Sequence, residues 1–299
     1  RAQCVSLTTL GTAYTQNFNT LSNTAGSTTN NLTITGWFLT ETGGGARDNE
    51  QYAVDTGAST TGDMYSYGAA GNTDRALGQL RSGTLIGTFG ACFTNNTGGT
   101  IKRLDINYTG EQWRLGTTAR TDQINFEYSF NATDLTTGTW TNAAALNFIS
   151  PDTGTVGAKD GNAAANRTAL TQNVAVPDIA NGATFWIRWT DTDASGADDG
   201  LAVDDFSLTP QTTLAADGVI SGRVQTAQGK GIANAKITLI NQSGFSKNVI
   251  TSPFGYFSFE ELETGETYII SVSAKNHIFS PQTVSLTENI ENLIINSEE

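Results

Sequence analysis

Apolar and polar residues alternate along several short stretches in the first two thirds of the chain. A period of two is typical of β-strands with one buried and one exposed face. Turn segments rich in Gly, Asn and Thr separate these stretches, and only residues 160–170 leave room for a helical turn. The pattern predicts an antiparallel, jelly-roll-like β-sandwich. The clearest predicted strands are residues 32–39, 100–110, 124–130 and 184–191.

The last third of the chain shows the same alternation of apolar and polar residues over a shorter length. Ala235, Ile237 and Leu239 define one predicted strand, and Phe257 and Phe259 define another. About seven such stretches follow one another in roughly 85 residues, which is the size of a small Greek-key β-sandwich. Both parts of the chain are therefore predicted to be all-β.

Composition changes between the two parts, near residue 214. All five tryptophans precede this point, and four of the six lysines follow it. Pro210 and the small polar residues after it are typical of a linker. The sequence therefore predicts two domains, residues 1–213 and residues 214–299.

The second predicted domain carries a familiar pattern. Its segments "SGRVQTAQGKGIANAKITL" and "SPFGYFSFEELETGETYIISVSA" resemble the carboxypeptidase regulatory-like, or transthyretin-like, family of β-sandwich domains. The resemblance covers nearly all of residues 216–299. It implies a non-catalytic module of the kind that serves as a spacer in secreted and cell-surface proteins.

The first predicted domain also carries recognisable segments. "TTGDMYSYGAAGNTDRALGQLRSG", "YTGEQWRLG" and "DGLAVDDFSLTP" are similar to a β-sandwich module of bacterial exported proteins. The resemblance spans about residues 14–210. It implies an extracellular or cell-surface location and leaves the biochemical role open.

The charge of the chain restricts its partners. The formal net charge is −13 and the isoelectric point is about 4.4. Such a chain repels phosphate backbones and anionic lipid surfaces. No apolar run approaches the roughly 18 residues that span a bilayer. Nucleic-acid binding and membrane insertion are therefore not expected.

Two cysteines, Cys4 and Cys92, lie far apart in the sequence. Their spacing is not that of a CxxC redox or zinc motif. A disulfide between the N-terminal segment and a strand of the first domain is the preferred interpretation, because the other signs point to export. Two free buried thiols are the alternative.

Six aspartates lie between Asp191 and Asp205, and the segment "DTDASG" begins like a calcium-binding loop. Oxygen ligands at alternate positions converge on one ion when such a loop folds back at its glycine. Ala202 stands where an EF-hand has Glu, and strands flank the loop, so an EF-hand is excluded. A structural Ca²⁺ site remains as one interpretation. Its predicted ligands are Asp191, Asp193, Ser195, Asp198 and Asp199.

The alternative interpretation of this segment is a hydrated acidic turn. Salt screens the repulsion between exposed carboxylates, so six of them in water carry only a modest penalty. Asp204 and Asp205 fall within a strand pattern, however, where full exposure is less expected. The sequence leaves both interpretations open.

Catalytic chemistry has one candidate carboxylate, Glu111, which lies between a tyrosine and a tryptophan. Glycosidases require two carboxylates that flank a cleft. The nearby Arg103 and Arg114 favour an internal ion pair instead. His277 is the single histidine and has no nucleophile motif nearby, which argues against Ser-His-Asp chemistry and His-rich metal centres.

The residues present do not favour two further binding functions, phosphate binding and sugar stacking. The Gly-rich segment 41–49 lacks the GK[ST] of a phosphate-binding loop. Exposed aromatic rings stack on sugars, but a β-sandwich core uses the same residues, and core packing is favoured. The candidate sugar-stacking residues are Trp113, Trp140, Tyr65 and Tyr67.

These observations predict a non-catalytic extracellular structural protein that assembles through β-contacts between its own copies or with other surface proteins. Residues 1–14 either form an exchangeable strand that pairs with the next subunit or the first strand of their own domain. The runner-up is a calcium-stabilised carbohydrate-binding adhesion module, with polysaccharide as its partner.

Overall fold

The computed structural model describes residues 3–43, 50–212, 217–241 and 244–298. The chain divides into two compact units, Arg1–Thr212 and Thr213–Glu299. The predicted boundary after residue 213 falls one residue from this division, and the linker residues 213–216 lie outside the described residues. Most of the Gly-rich segment 41–49 lies outside them as well.

The first unit is a sandwich of two β-sheets. Its described residues hold no α-helix, and a single 3-10 turn spans Ala144–Leu146. One sheet comprises β1 (Val5–Leu7), β3 (Trp37–Thr42), β7 (Ile86–Asn95), β9 (Gln123–Ser129), β10 (Thr141–Asn142), β11 (Phe148–Ile149) and β14 (Thr184–Asp191). The other comprises β2 (Tyr14–Gln16), β4 (Tyr52–Asp55), β5 (Asp63–Tyr67), β6 (Ala76–Leu80), β8 (Ile101–Leu115), β12 (Gly157–Ala158), β13 (Arg167–Ile179) and β15 (Gly200–Gln211).

The all-β prediction is confirmed, and most strand pairs are antiparallel as expected. Two pairs of the first unit are parallel instead, namely β1 with β7 and β4 with β5. Strand β14 spans Thr184–Asp191, the same residues that the alternation predicts. Residues 160–170, which leave room for a helical turn, form no helix: they make turns and then enter β13 at Arg167.

One predicted strand is shorter than its sequence pattern. Residues 32–39 were predicted as a strand, but β3 begins only at Trp37. Gly36 has φ +78°, and a Cβ at this position would lie 2.6 Å from the backbone nitrogen of Val5. The chain therefore turns tightly at a glycine, where an L-residue would be strained.

Aromatic residues from both sheets fill the space between them. Trp189 of β14 is fully buried, and its ring stacks on Phe89 at 5.4 Å and on Trp37 at 6.0 Å. Tyr108 and Phe206 of the opposite sheet contact the same indole edge-on, at 5.3 Å and 5.7 Å. Each strand contributes alternate side chains to this layer, as the period of two requires.

The N-terminal segment is held within its own unit. Cys4 and Cys92 form a disulfide with their Cα atoms 4.7 Å apart, and β1 pairs with Phe93–Asn95 of β7. Closing a loop of 88 residues restricts the unfolded chain and stabilises the fold by about 4 kcal/mol in the chain-entropy model. The structure thus matches the interpretation in which this segment is the first strand of its own domain.

The second unit is a smaller sandwich of seven strands. Its three-stranded sheet has β16 (Asp217–Gln225) between β19 (Tyr256–Glu263) and β22 (Ile290–Asn296), with β16 and β22 parallel. Its four-stranded sheet runs in the order β18 (Ser246–Ile250), β17 (Lys236–Asn241), β20 (Thr267–Ser273) and β21 (Gln282–Ser285). The buried layer contains Ile237, Leu239, Phe257 and Phe259, as their alternation predicts. Across the described part of the chain, no helix is long and apolar enough to cross a membrane.

Candidate functional site

Three aspartates from separate parts of the first unit meet at one end of the sandwich. Asp122 directly precedes β9, Asp191 ends β14, and Asp198 lies two residues before β15. One carboxylate oxygen from each residue lies within 4.8 Å of the others. All three residues are at most 6% exposed. We call Asp122, Asp191 and Asp198 the aspartate cluster.

Strand pairing explains why these residues meet. Asp191 pairs with Ile124, so the end of β14 lies beside the start of β9. The segment after β14 then crosses from one sheet to the other. It is fixed by a hydrogen bond from the Asp199 backbone N–H to Oδ2 of Asp122 at 2.7 Å.

Asp191 is the member of the cluster whose carboxylate has the fewest hydrogen-bond partners. Neither of its carboxylate oxygens accepts a hydrogen bond from any described residue. Burial raises the pKa of Asp191 to about 9, and the negative charges of Asp122 and Asp198 add to the shift. Burial and Asp122 also raise the pKa of Asp198 to about 6, although its Oδ1 accepts a hydrogen bond from the Ala194 N–H at 3.2 Å.

Two arginines lie beside the cluster but do not contact the Asp191 carboxylate. Arg81 donates to the main-chain oxygen of Asp191 at 3.0 Å and lies 3.6 Å from the carboxylate of Asp193. Arg120 donates to the carbonyl of Ser195 at 2.9 Å and lies 3.4 Å from Oδ2 of Asp122. Together with the exposed Asp193, which Arg81 contacts, four buried carboxylates and two guanidinium groups leave a formal charge of −3 when all are ionised. The four are Asp122, Asp191, Asp198 and Asp199.

The structure brings together only part of the predicted calcium loop. Asp191 and Asp198 converge, whereas Asp193 and Ser195 are exposed. Asp199 is fully engaged, because it accepts hydrogen bonds from Gln112 Nε2 at 2.9 Å and the Gly116 N–H at 2.8 Å. The hydrated-turn interpretation is wrong for four of the six aspartates, which are buried: Asp191, Asp198, Asp199 and Asp204.

Asp122 is the member that sequence reasoning missed. It lies 69 residues before Asp191, outside any local spacing motif. Only the pairing of β9 with β14 reveals that the two residues are neighbours.

Glu111 does not form the predicted ion pair. It is 2% exposed, and its Oε2 accepts a hydrogen bond from the Trp113 indole at 2.8 Å. Arg103 pairs with Asp105 at 2.7 Å, and Arg114 donates to the carbonyl of Gly57 at 3.1 Å. Arg103 lies eight residues before Glu111 on one extended strand, a separation of about 27 Å, so the two side chains cannot meet.

Glu111 and Asp204 instead form a second buried acidic pair on the neighbouring strands β8 and β15. Burial raises the pKa of Glu111 to about 7. Burial also raises the pKa of Asp204 to about 8, and the negative charge of Glu111 contributes to that shift. Ala202 pairs with Glu111 across these strands, which places Asp204 two residues further along β15.

Most of the candidate sugar-stacking residues lie in the interior. Tyr65, Tyr67 and Trp113 are at most 3% exposed, and the rings of Tyr67 and Trp113 stack at 6.1 Å. Trp140 is half-buried, and the guanidinium of Arg188 lies 4.0 Å from its ring centre. Three of the four rings therefore offer no face to a sugar. Tyr65 and Tyr67 are core residues, because they belong to β5, which is buried on both faces. Trp113 is part of the same buried cluster.

Strand β13 forms a long open edge of the second sheet of the first unit. It is 13 residues long and pairs with β8 on one side only. From residue 168 to residue 176, no backbone hydrogen bond among the described residues joins its other side to another segment. The ten residues 168–177 carry no charge, and most of their side chains are exposed.

Other edge strands of the described chain are short or charged. Strands β1, β10, β11 and β12 have two or three residues each. Strand β4 ends in Asp55, and β19 carries three glutamates. Strand β18 contains Lys247. Such features block pairing with other chains, and between Arg167 at its start and Pro177, β13 has none of them.

Comparison with known families identifies the second unit. Residues 219–291 match the family model of the carboxypeptidase regulatory-like domain, which confirms the resemblance indicated by the sequence of this unit. The match covers less than half of the chain. No curated protein matches the chain significantly in sequence.

Solved structures similar to the chain include pilin and adhesin domains of bacteria. They include the C-terminal fragment of the pilus adhesin SpaC from Lactobacillus rhamnosus GG, at 12% identity over 62% of this chain and 95% of that one, with a TM-score of 0.22. The major pilin subunit BcpA of Bacillus cereus gives 9% identity over 88% and 70%, with a TM-score of 0.26. The adhesin domain of Epf from Streptococcus pyogenes gives 10% over 86% and 92%, with a TM-score of 0.27. Scores this low carry no information about function.

Proposed function

We propose that this chain is a non-catalytic structural protein of the cell exterior that self-associates by pairing the open edge of β13 with the same edge of a second copy. The observation that carries the proposal is the long, uncharged and unpaired edge of this strand. An edge of this kind exposes a row of backbone donors and acceptors that another strand can satisfy. Two copies meeting antiparallel would extend the sheet across a two-fold axis.

An exterior location is supported by the covalent chemistry of the first unit. The Cys4–Cys92 disulfide persists in an oxidising compartment and would be reduced in most cytosols. The carboxypeptidase regulatory-like unit suits a spacer that presents the first unit away from a surface.

A non-catalytic role is supported by the environment of Glu111. A general acid or nucleophile must reach its substrate within hydrogen-bond distance. The Glu111 carboxylate is enclosed in the sheet and bound by the Trp113 indole, so a substrate does not reach it. The sugar-binding alternative is disfavoured because Trp113, Tyr65 and Tyr67 are buried.

Lysine substitutions on β13 test the proposal. Ala169 and Asn173 are exposed and lie on the same face of the strand. We expect the wild-type chain to associate with rising concentration in sedimentation velocity, and the double variant A169K/N173K to stay monomeric. The matched control T73K/T139K adds the same charge at exposed loop residues and should associate like the wild type.

Two outcomes would overturn the proposal. One is a wild-type chain that remains monomeric up to millimolar concentration. The other is assembly that A169K/N173K leaves unchanged, which would place the contact on another surface. Electron microscopy of the associated sample then separates closed dimers from filaments, since a filament needs a second contact in addition to β13.

A further inference from the structure

We infer that the aspartate cluster of Asp122, Asp191 and Asp198 binds one Ca²⁺ ion that ties the two sheets of the first unit together. Two independent observations carry the inference. Three buried carboxylates converge within 4.8 Å, and both carboxylate oxygens of the buried Asp191 lack a hydrogen-bond partner among the described residues. This site does not depend on the pairing of β13.

The local charge balance calls for a cation. Buried carboxylates are retained when they are paired, hydrogen-bonded or bound to a metal. Asp199 is satisfied by two donors, and Asp122 accepts backbone N–H groups and faces Arg120. Among the described residues, no arginine forms an ion pair with the carboxylates of Asp191 and Asp198, and a divalent ion would offset most of the formal negative charge that the two guanidinium groups leave.

The donor set points to a hard cation. All three side chains offer oxygen, and neither histidine nor cysteine is part of the cluster. Calcium accepts about 6–8 oxygens in flexible geometry, and carboxylates bind it with one or both oxygens. Three carboxylates with a few waters complete such a shell. Magnesium demands a near-ideal octahedron and releases its waters reluctantly, so it suits the cluster less well.

The site is accessible and lies between the sheets. A surface cavity lined in part by Arg81, Arg114, Gly196, Ala197 and Asp198 reaches the cluster at Asp198. Asp122 and Asp191 belong to the sheet that contains β9 and β14, whereas Asp198 leads into β15 of the opposite sheet. A bound ion would therefore add a second link between the two sheets, beside the hydrogen bond from the Asp199 N–H to Asp122.

Calcium titration of the chelator-stripped full chain tests the inference. We expect isothermal calorimetry with CaCl₂ to give one site per chain, and thermal unfolding to occur at higher temperature with Ca²⁺ than with chelator. The variants D191N and D198N should each weaken Ca²⁺ binding at least tenfold. The matched control D193N changes an exposed residue of the same loop and should bind within about twofold of the wild type, because loss of a single exposed charge is screened.

Stability in chelator separates loss of the site from loss of the fold. D191N replaces a buried carboxyl group that has no hydrogen-bond partner among the described residues with an amide of similar size, so this variant should unfold in chelator at no lower temperature than the wild type. The inference fails if the wild type shows neither binding heat nor a shift in unfolding temperature with Ca²⁺. It also fails if D193N abolishes binding while D191N retains it, or if Mg²⁺ binds more tightly than Ca²⁺. A169K/N173K should bind Ca²⁺ like the wild type, which separates this test from that of assembly.

Discussion

The Trp113 indole nitrogen donates a hydrogen bond at 2.8 Å to the carboxylate of Glu111, two residues earlier on the same strand. Both residues are 2% exposed. A single neutral donor compensates poorly for the lost hydration of a buried carboxylate, and the pKa of Glu111 rises to about 7. Protonation of this residue is therefore coupled to folding.

We expect the free energy of unfolding to fall with rising pH because of Glu111. The unfolded chain releases this proton near pH 4.5, whereas the folded chain keeps it to about pH 7. The folded state therefore binds more protons than the unfolded state between these pH values. The contribution of Glu111 to the free energy of unfolding falls as the pH rises from about 4.5 to about 7, and it does not change further above pH 7. The pKa of Asp204 is also raised, to about 8, so this residue changes the free energy of unfolding in the same direction.

The variant E111Q isolates this contribution. Urea unfolding at pH 4 and pH 8 should show E111Q gaining about 3 kcal/mol over the wild type at the higher pH relative to the lower one. D178N, which alters an exposed carboxylate of the first unit, should show no such gain. An equal difference between E111Q and the wild type at both pH values would contradict the raised pKa of Glu111.

The second prediction concerns Gly36, which directly precedes β3. G36A should lower the free energy of unfolding by about 1–3 kcal/mol, because the residue has φ +78° and its Cβ would press on the backbone of Val5. The control G83A has no atom within 4 Å of the added Cβ. It should be neutral or gain up to about 1 kcal/mol in urea unfolding. Similar losses in the two variants would show that the tight turn at Gly36 is not required.

Tryptophan substitutions test the arrangement of the core. W189A should lower the free energy of unfolding by about 3–5 kcal/mol, since the ring is fully buried among aromatic residues of both sheets. W140A removes a half-buried ring beneath Arg188 and should cost about 1 kcal/mol. The comparison uses urea unfolding monitored by far-UV circular dichroism, because both variants lose a fluorophore. A larger loss in W140A would reverse the assignment of core and surface.

Local alternation was sufficient to predict β14, because Phe185, Ile187 and Trp189 occupy alternate positions and Trp186 is the one apolar residue between them. It failed at the start of β3, where the turn depends on the φ angle of Gly36, which the hydrophobic pattern does not encode. In the second unit the alternation and the family resemblance both indicated the sandwich that the structure contains.

The aspartate cluster shows where local spacing stops being informative. Asp191 and Asp198 are close in sequence and were among the predicted ligands, but Asp122 joins them only through the register of β9 and β14. The predicted pairing of Glu111 with Arg103 failed for the converse reason. Residues that are close in sequence lie far apart along an extended strand.

The disulfide has a mechanical consequence for a chain that is held under tension. Cys4 is bonded to Cys92, which lies within β7, a strand paired on both sides. A force pulling on the backbone just before Cys4 passes through the sulfur bridge into β7 and bypasses the polypeptide between the two cysteines. Residues 5–91 therefore cannot be pulled out as an extended chain until the bridge is broken, and the load enters the sheet through an interior strand rather than peeling β1 from its edge.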